Sequence, residues 1–412
     1  MDKTIAFSRA ASPISMARLF KTAFDGHDLK PLQAQASARI NSDPADAAAL
    51  MDLCVIEQLL GNQAVGLQCQ AQALGIQRLY RSSCPASPQA LQVLAFKAAG
   101  DVGTNTPIEF LLDGSDVVLH MLYVVPGQPL PNPIPEHDIA IVTPCESDQN
   151  RPVLREIERL IPCWPCPVLN QPAGIFRSSR EQMYSVLQKV EGLTMPATVR
   201  ISRAALEQIG RGFKPAGDFL GEADAVFPLI ARPVDSHAGR SLVKFDSPSP
   251  IATYLANQQE TEFFISRFVD YRSSDGLFRK YRVIFVDGRP YPCHMAISED
   301  WKLWYYNSGM AMNAAKRDQE ARFMATFDTG FARRHAAALS SIAERLGLEY
   351  FGIDCAETSD GTLLVFEGGV DLVAHDMDRP DVYPYKSQHM QTLFAAFRNM
   401  LKRKSVGAAV AV

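Results

Sequence analysis

Apolar and polar positions along this chain follow two periods, and the change between them divides it. Over residues 32–81 Ala, Gln and Leu dominate and apolar residues recur at helical spacing. Residues 43–81 within that run predict two helices joined at Leu60-Gly61-Asn62, with Ala71, Ala73 and Leu74 on the inner face of the second. Pro85-Ala86-Ser87-Pro88 interrupts the pattern and marks a first boundary. Beyond it, short apolar runs at 108–112, 117–125 and 139–142 alternate with turn signals, and 151–161 has the spacing of an amphipathic helix. Such layering predicts an α/β region with a parallel sheet. Ligands in these sheets sit beyond the carboxyl ends of the strands, so residues 143–150 are either a substrate-facing edge or a polar connection.

The second half reads as strands punctuated by turns. A strand ends at Asn170-Gln171-Pro172, and a helix follows from Ser179, a capping residue with Glu181 in the first turn. Strands are predicted at 227–233, 262–269 and 279–288, then a hairpin over 290–306 carrying Tyr291, His294, Trp301, Trp304, Tyr305 and Tyr306. His294 reads as a hydrogen-bonded residue of the sheet. An amphipathic helix over 333–346 leads into the most informative stretch, 349–375. There Asp354 closes one apolar strand, Ser359-Asp360-Gly361 has turn chemistry, and the return strand runs into Glu367. The two carboxylates are expected side by side, a geometry that suits Mg²⁺ bridging carboxylates to phosphates; the plainer alternative is a hairpin whose acids face water. The tail after Lys404 is expected to be disordered.

Composition narrows the field. A length of 412 residues allows two or three domains. A formal charge of -4 with 21% charged residues gives no basic footprint for nucleic acid. No apolar run approaches the ~18 residues that span a bilayer. No secretion signal is evident, and the sparse cysteines suit a reducing cytoplasm. Cys163-Trp164-Pro165-Cys166 has CxxC spacing but precedes a strand rather than opening a helix, which argues against redox work.

Two resemblances follow from these motifs. The helix pair at 43–81 resembles a tetratricopeptide unit, and one such unit needs the body, a partner or another copy to cover its apolar face. The run of strand, Asn170-Gln171-Pro172, an Arg before a helix, and Gly192-Leu193 to Pro196 and Thr198 resembles ATP-grasp enzymes of the glutathione synthetase and ribosomal-protein glutamate ligase type. That resemblance implies an α+β chain: a helical segment at 1–88, a Rossmann-like domain at 89–195, small and C-terminal ATP-grasp subdomains at 196–262 and 263–405, and a tail at 406–412. It implies ATP and Mg²⁺ as cofactors, with Asp354 and Glu367 on the metal and Arg282 and Arg232 at the transferring phosphate. Lys280, Arg232 and the loop Ser236, His237, Ala238, Gly239, Arg240 and Ser241 would bind phosphates, and Ser266, Arg267, Phe268 and Val269 would hold adenine.

Three positions depart from the family pattern. Its Asp-Lys pair is matched by Glu181-Gln182, a second phosphate Lys by Arg232, and the Glu-x-Asn metal ligands by Glu367-Gly368-Gly369. The resemblance implies an ATP-dependent ligase joining small-molecule or peptide carboxylates to amines through an acyl phosphate. Its alternatives are a degenerate nucleotide-binding scaffold that associates through the N-terminal helices, and a kinase of the same fold.

Overall fold

A computed structural model describes residues 12–82, 89–221, 227–234, 236 and 239–406. The chain forms two compact units: Met1–Ile175 with Leu348–Phe351 and Val370–Val412, and Phe176–Gly347 with Gly352–Gly369.

The first unit opens with the helices Met16–Phe24, Lys30–Ser42, Ala47–Leu59 and Gln63–Ile76. Leu19, Leu29 and Ile56 form one buried cluster among them, and Met16 and Ala17 meet Phe110 and Met377 in another. The predicted helix pair is present, but its contact face differs from expectation. Gly66 and Ala73 face inward while Ala71 is exposed. A Cβ at Gly66 would lie 2.6 Å from the Cys54 carbonyl oxygen, so the close approach of the two helices depends on that glycine. The run ends not in helix but in strand β1 (Leu79–Arg81). Pro85 to Pro88 lie outside the described residues.

Strands β2 (Gln92–Lys97), β3 (Val118–Tyr123), β4 (Ile139–Val142) and β5 (Val168–Leu169) join β1 in the order β1-β3-β2-β4-β5. All neighbours are parallel except the β1 edge. Strands β3 and β4 are buried at every residue, as expected of a parallel sheet covered on both faces. The run at 108–112 is a short helix, Ile108–Leu111, rather than a strand. Residues 143–150 are fastened internally: the Asn150 side chain donates to the carbonyls of Thr104 (3.2 Å) and Cys145 (3.0 Å). Asn170, at φ 51°, clasps Tyr350 by accepting its N–H (2.9 Å) and donating to its carbonyl (2.7 Å). The last helix, Lys386–Val406, includes Ser405 and Val406, which the sequence reading placed in the tail; residues 407–412 lie outside the described residues.

Two further sheets follow, in the second unit except for Tyr350 and Phe351 at the start of β13. Strands β6 (Leu193–Thr194), β7 (Thr198–Ser202), β8 (Leu229–Pro233), β9 (Val243–Phe245), β10 (Glu262–Arg267), β11 (Phe278–Val286), β12 (Arg289–Ser298), β13 (Tyr350–Glu357) and β14 (Leu363–Gly369) divide between them. The first sheet has the order β7-β10-β8-β9 and is antiparallel throughout. Its core packs Leu206, Ile209, Leu229, Ala231, Phe245 and Phe263. Strand alternation buries Leu229 and Ala231 and turns Arg232 to the opposite face.

The second sheet has the order β12-β11-β13-β14-β6. Asp287 and Gly288, both at positive φ (51° and 79°), make the tight two-residue turn between β11 and β12. Tyr291 and His294 lie on β12, whereas Trp301, Trp304, Tyr305 and Tyr306 lie beyond it in loop and 3₁₀ turns, so the expected hairpin stops at Ser298. The expected helix at 333–346 is split at His335 into Phe331–Arg334 and Ala336–Leu346. The mixed α/β architecture is the one the sequence predicts.

Candidate active site

The hairpin β13–β14 sets the site. Gly361, at φ 83°, serves the turn between the strands, and the antiparallel register then places Asp354 opposite Glu367. That pairing depends on a bulge between Asp354 and Cys355, where the register slips by one residue and sets Glu367 rather than Phe366 opposite Asp354.

Asp354 is fully buried, and its charge is met on the neighbouring strand β11. Arg282 binds it with two donors, Nε to Oδ1 at 2.8 Å and Nη2 to Oδ2 at 3.1 Å, while Lys280 Nζ lies 2.7 Å from Oδ2. Residues two apart on a strand share a face, which is why Lys280 and Arg282 reach the same carboxylate. Burial pushes the Asp354 carboxyl up, but Arg282 and Lys280 outweigh it and hold the group well below the usual carboxylate range. The same pairing raises Arg282 against the opposing effect of its own burial.

Glu367 draws its partners from elsewhere in the unit. Arg180 binds its carboxylate through Nη2, and Arg232 Nη1 lies 3.9 Å from Oε2. Burial and the nearby Asp354 charge push the Glu367 carboxyl up, yet Arg180 and Arg232 bring it down to about 2. Arg232 itself is lowered to about 10 by burial and by Arg180, with Glu367 opposing. Its Nε donates to Ser236 Oγ at 3.0 Å, and that hydroxyl in turn donates to the Pro233 carbonyl at 2.8 Å.

Five residues expected at the site are therefore brought together: Asp354, Glu367, Lys280, Arg282 and Arg232. A sixth, Arg180, was missed. The resemblance aligns Gln182 with a phosphate-binding Lys and so leaves this helix without a cation, but Ser179 caps the helix Arg180–Leu187 and accepts the Gln182 N–H (3.2 Å), and Arg180, the first residue of that helix, meets Glu367. Glu181 instead accepts the Arg200 N–H (3.1 Å). A cation in the first helical turn runs against the helix dipole, and that local mismatch was the available signal.

Of the loop, Ser236 is the strut just described. Gly239 and Ser241 adopt left-handed backbone (φ 69° and 54°), Arg240 is exposed, and His237 and Ala238 lie outside the described residues. Ser266 lies within β10 and Arg267 ends it, while Phe268 donates its N–H to the Pro228 carbonyl (3.0 Å). The Lys244 ammonium is 4.8 Å from the centre of the Phe268 ring, and Trp301 meets that ring edge-on at 5.6 Å. Phe268 thus belongs to an opening of about 360 Å³ that Lys244, Arg272, Phe278 and Trp301 also line, and Val269 beside it is half-buried.

Four cations around two carboxylates leave an excess of positive charge suited to a polyanion. The two carboxylates in register match what Mg²⁺ takes from protein when phosphate oxygens complete its shell. Among the described residues no group of three His, Cys, Asp or Glu could hold a metal alone, and Gly369, two residues after Glu367, offers no side-chain oxygen. The donor set therefore fits a cation arriving on phosphate rather than a permanently caged one. At Cys163-Trp164-Pro165-Cys166, burial pushes the Cys166 thiol up to about 11, the opposite of an activated thiol.

No protein-family model matches the chain, and neither does any curated protein. Among solved structures it is similar to the D-alanine–D-alanine ligase of Bacillus anthracis complexed with ATP, at 12% identity over 77% of this chain and 98% of that one, with a TM-score of 0.46. It is similar to a RimK domain ATP-grasp protein of Sphaerobacter thermophilus (14% identity, 76% and 99% of the chains, TM-score 0.41). The D-cycloserine synthetase DcsG is a third (14%, 74% and 99%, 0.40). At these identities and scores the likeness assigns this chain no substrate and no reaction. No helix among the described residues is long and apolar enough to cross a membrane.

Proposed function

We propose that this protein is an ATP-dependent carboxylate–amine ligase that uses Mg-ATP to activate a carboxylate as an acyl phosphate and passes the acyl group to an amine. The observation that carries this reading is the register-paired Asp354 and Glu367 ringed by Arg180, Arg232, Lys280 and Arg282. Asp354 and Glu367 would hold the Mg²⁺, whose chemistry is to neutralise phosphate charge. Phosphate oxygens are strong acceptors, and the guanidinium forks of Arg282, Arg180 and Arg232 would add them to the carboxylate contacts that hold these side chains. Charge developing on the transferring phosphoryl group is then met by donors held in place beforehand, and positioning supplies most of the acceleration, as in other phosphoryl transfers. The fully buried Asp354 fixes Arg282 and Lys280 on one face of β11, which limits their reorganisation.

Incubation of the full chain with Mg-ATP and a panel of amino acids and peptides tests the proposal. ADP release that requires both a carboxylate and an amine, with amide product by mass spectrometry, is the expected result. A folded sample that shows no acceptor-dependent release refutes it. A nucleotide-binding scaffold is the second reading, favoured by one observation: Gly369 supplies no third metal oxygen and both carboxylates are already neutralised by protein cations. Mg-ATP binding by calorimetry without turnover would support that reading, and a stable phosphorylated product would identify a kinase instead.

A further inference from the structure

The first unit contains a second polar cavity, independent of the phosphate-site reading. It has room for about 60 Å³ of water-sized groups and lies at the carboxyl ends of the parallel strands β2 and β3. Lys97 and Tyr123, the last residues of those strands, are register partners and both line it. Ligands in open parallel sheets gather at this edge.

Lys97 is only 5% exposed, yet its ammonium lacks strong acceptors. Its contacts among the described residues are Glu109 Oε2 at 3.7 Å, outside hydrogen-bond range, the Met121 sulfur at 3.9 Å and the Tyr123 ring, whose centre is 5.9 Å away. An ammonium offers three N–H donors and is costly to bury without oxygen partners. Two further donors line the cavity. The Tyr123 hydroxyl and the Gln70 side-chain N–H₂ have no hydrogen bond among the described residues, whereas Gln70 Oε1 is taken by the Gly100 N–H (2.8 Å). Two carboxylates also line the cavity: Asp101 accepts from the Gly103 N–H (3.0 Å), Thr104 Oγ1 (3.1 Å) and Gln63 Nε2 (3.1 Å), whereas Glu109 Oε1 receives the Met16 N–H at 2.9 Å and its Oε2 has only its long contact with Lys97.

We infer that this cavity binds a small zwitterion of the α-amino acid class, its carboxylate on Lys97, Tyr123 and Gln70 and its ammonium on Glu109. The charges match in sign, since Lys97 and Glu109 are each left an open valence while Asp101 already has its donors. Size sets the limit: at roughly 10–15 Å³ per water-sized group, the space takes about four to six non-hydrogen atoms, the count of glycine or alanine.

Calorimetry and thermal unfolding of the full chain with glycine, L-alanine, D-alanine, L-leucine, acetate and methylamine test the inference. The expected result is saturable binding of glycine or an alanine at least about tenfold tighter than acetate or methylamine, as expected when two charge-assisted contacts act rather than one, with L-leucine excluded. Lys97→Met and Gln70→Leu should each keep cooperative unfolding, and Lys97→Met should weaken glycine about tenfold or more. Absence of saturable binding in the wild-type protein up to tens of millimolar overturns the inference, whatever the variants do. Equal affinity for acetate and glycine overturns the zwitterion assignment, and unchanged affinity in both folded variants overturns the location.

Discussion

Replacing Glu367 by Gln keeps the shape and hydrogen-bonding oxygen of the side chain and removes its charge, so it isolates what that charge contributes to the fold. In the folded protein the carboxyl is held at about 2, against a usual 4.5, by Arg180 and Arg232 working against burial and the Asp354 charge. That displacement corresponds to about 3 kcal/mol of stabilisation at neutral pH. The side chain is 31% exposed, so solvent screening reduces the expectation to about 2 kcal/mol. Because the folded-state value lies below the unfolded one, the contribution is full above the unfolded-state value and is lost as pH falls through the folded-state value. Urea unfolding of the wild type and Glu367→Gln at several pH values measures it. The gap should be about 2 kcal/mol at pH 7, about half that near pH 3, and vanish below about 2. A gap that does not change with pH over this window, or a variant as stable as the wild type at pH 7, refutes the assignment of Arg180 and Arg232 as its partners.

Three further outcomes are expected. Arg282→Met leaves the buried Asp354 with Lys280 as its remaining close cation, and should cost about 3 kcal/mol in denaturant unfolding. If the ligase reading holds, the same variant should also release ADP about 10²–10³-fold more slowly under acceptor-saturated conditions. Gly368→Ala would place a Cβ 2.6 Å from the Met183 methyl and 3.1 Å from the Gly352 carbonyl oxygen. It should destabilise by about 1–3 kcal/mol, and a second change, Met183→Ala, should recover only part of that, because the carbonyl contact remains. Mg-ATP at about one hundred times its Kd should stabilise the protein by about 2.7 kcal/mol in thermal unfolding, and a chelator should reduce the effect. Equal stabilisation by ATP with and without Mg²⁺ would count against a metal role for Asp354 and Glu367.

What was legible in the sequence depended on whether a local count fixed the geometry. Asp354 and Glu367 could be placed near one another because Ser359-Asp360-Gly361 fixes the hairpin, but that turn alone sets Asp354 opposite Phe366, and the bulge that brings Glu367 into register left no local count to read. Lys280 and Arg282 followed for a similar reason, since residues two apart on a strand share a face wherever the strand sits. Arg180 was not legible in this way. Which of the residues 180, 181 and 182 reaches a distant carboxylate is decided by the Ser179 cap and by the packing of that helix, and the motif, which reads Gln182 as a lost cation, does not point to Arg180 two positions earlier. The run 108–112 failed differently: a short apolar stretch carries no period, and after Pro107 it closes into a single helical turn whose Glu109 accepts the Met16 N–H. The Lys97 cavity had no signal at all, because Lys97, Tyr123, Gln70 and Glu109 come from four separate elements that only the tertiary fold assembles. If function in this chain is spread over both units, the readable part is the hairpin and its neighbouring strand, and the part that determines which small molecules bind is written in long-range packing.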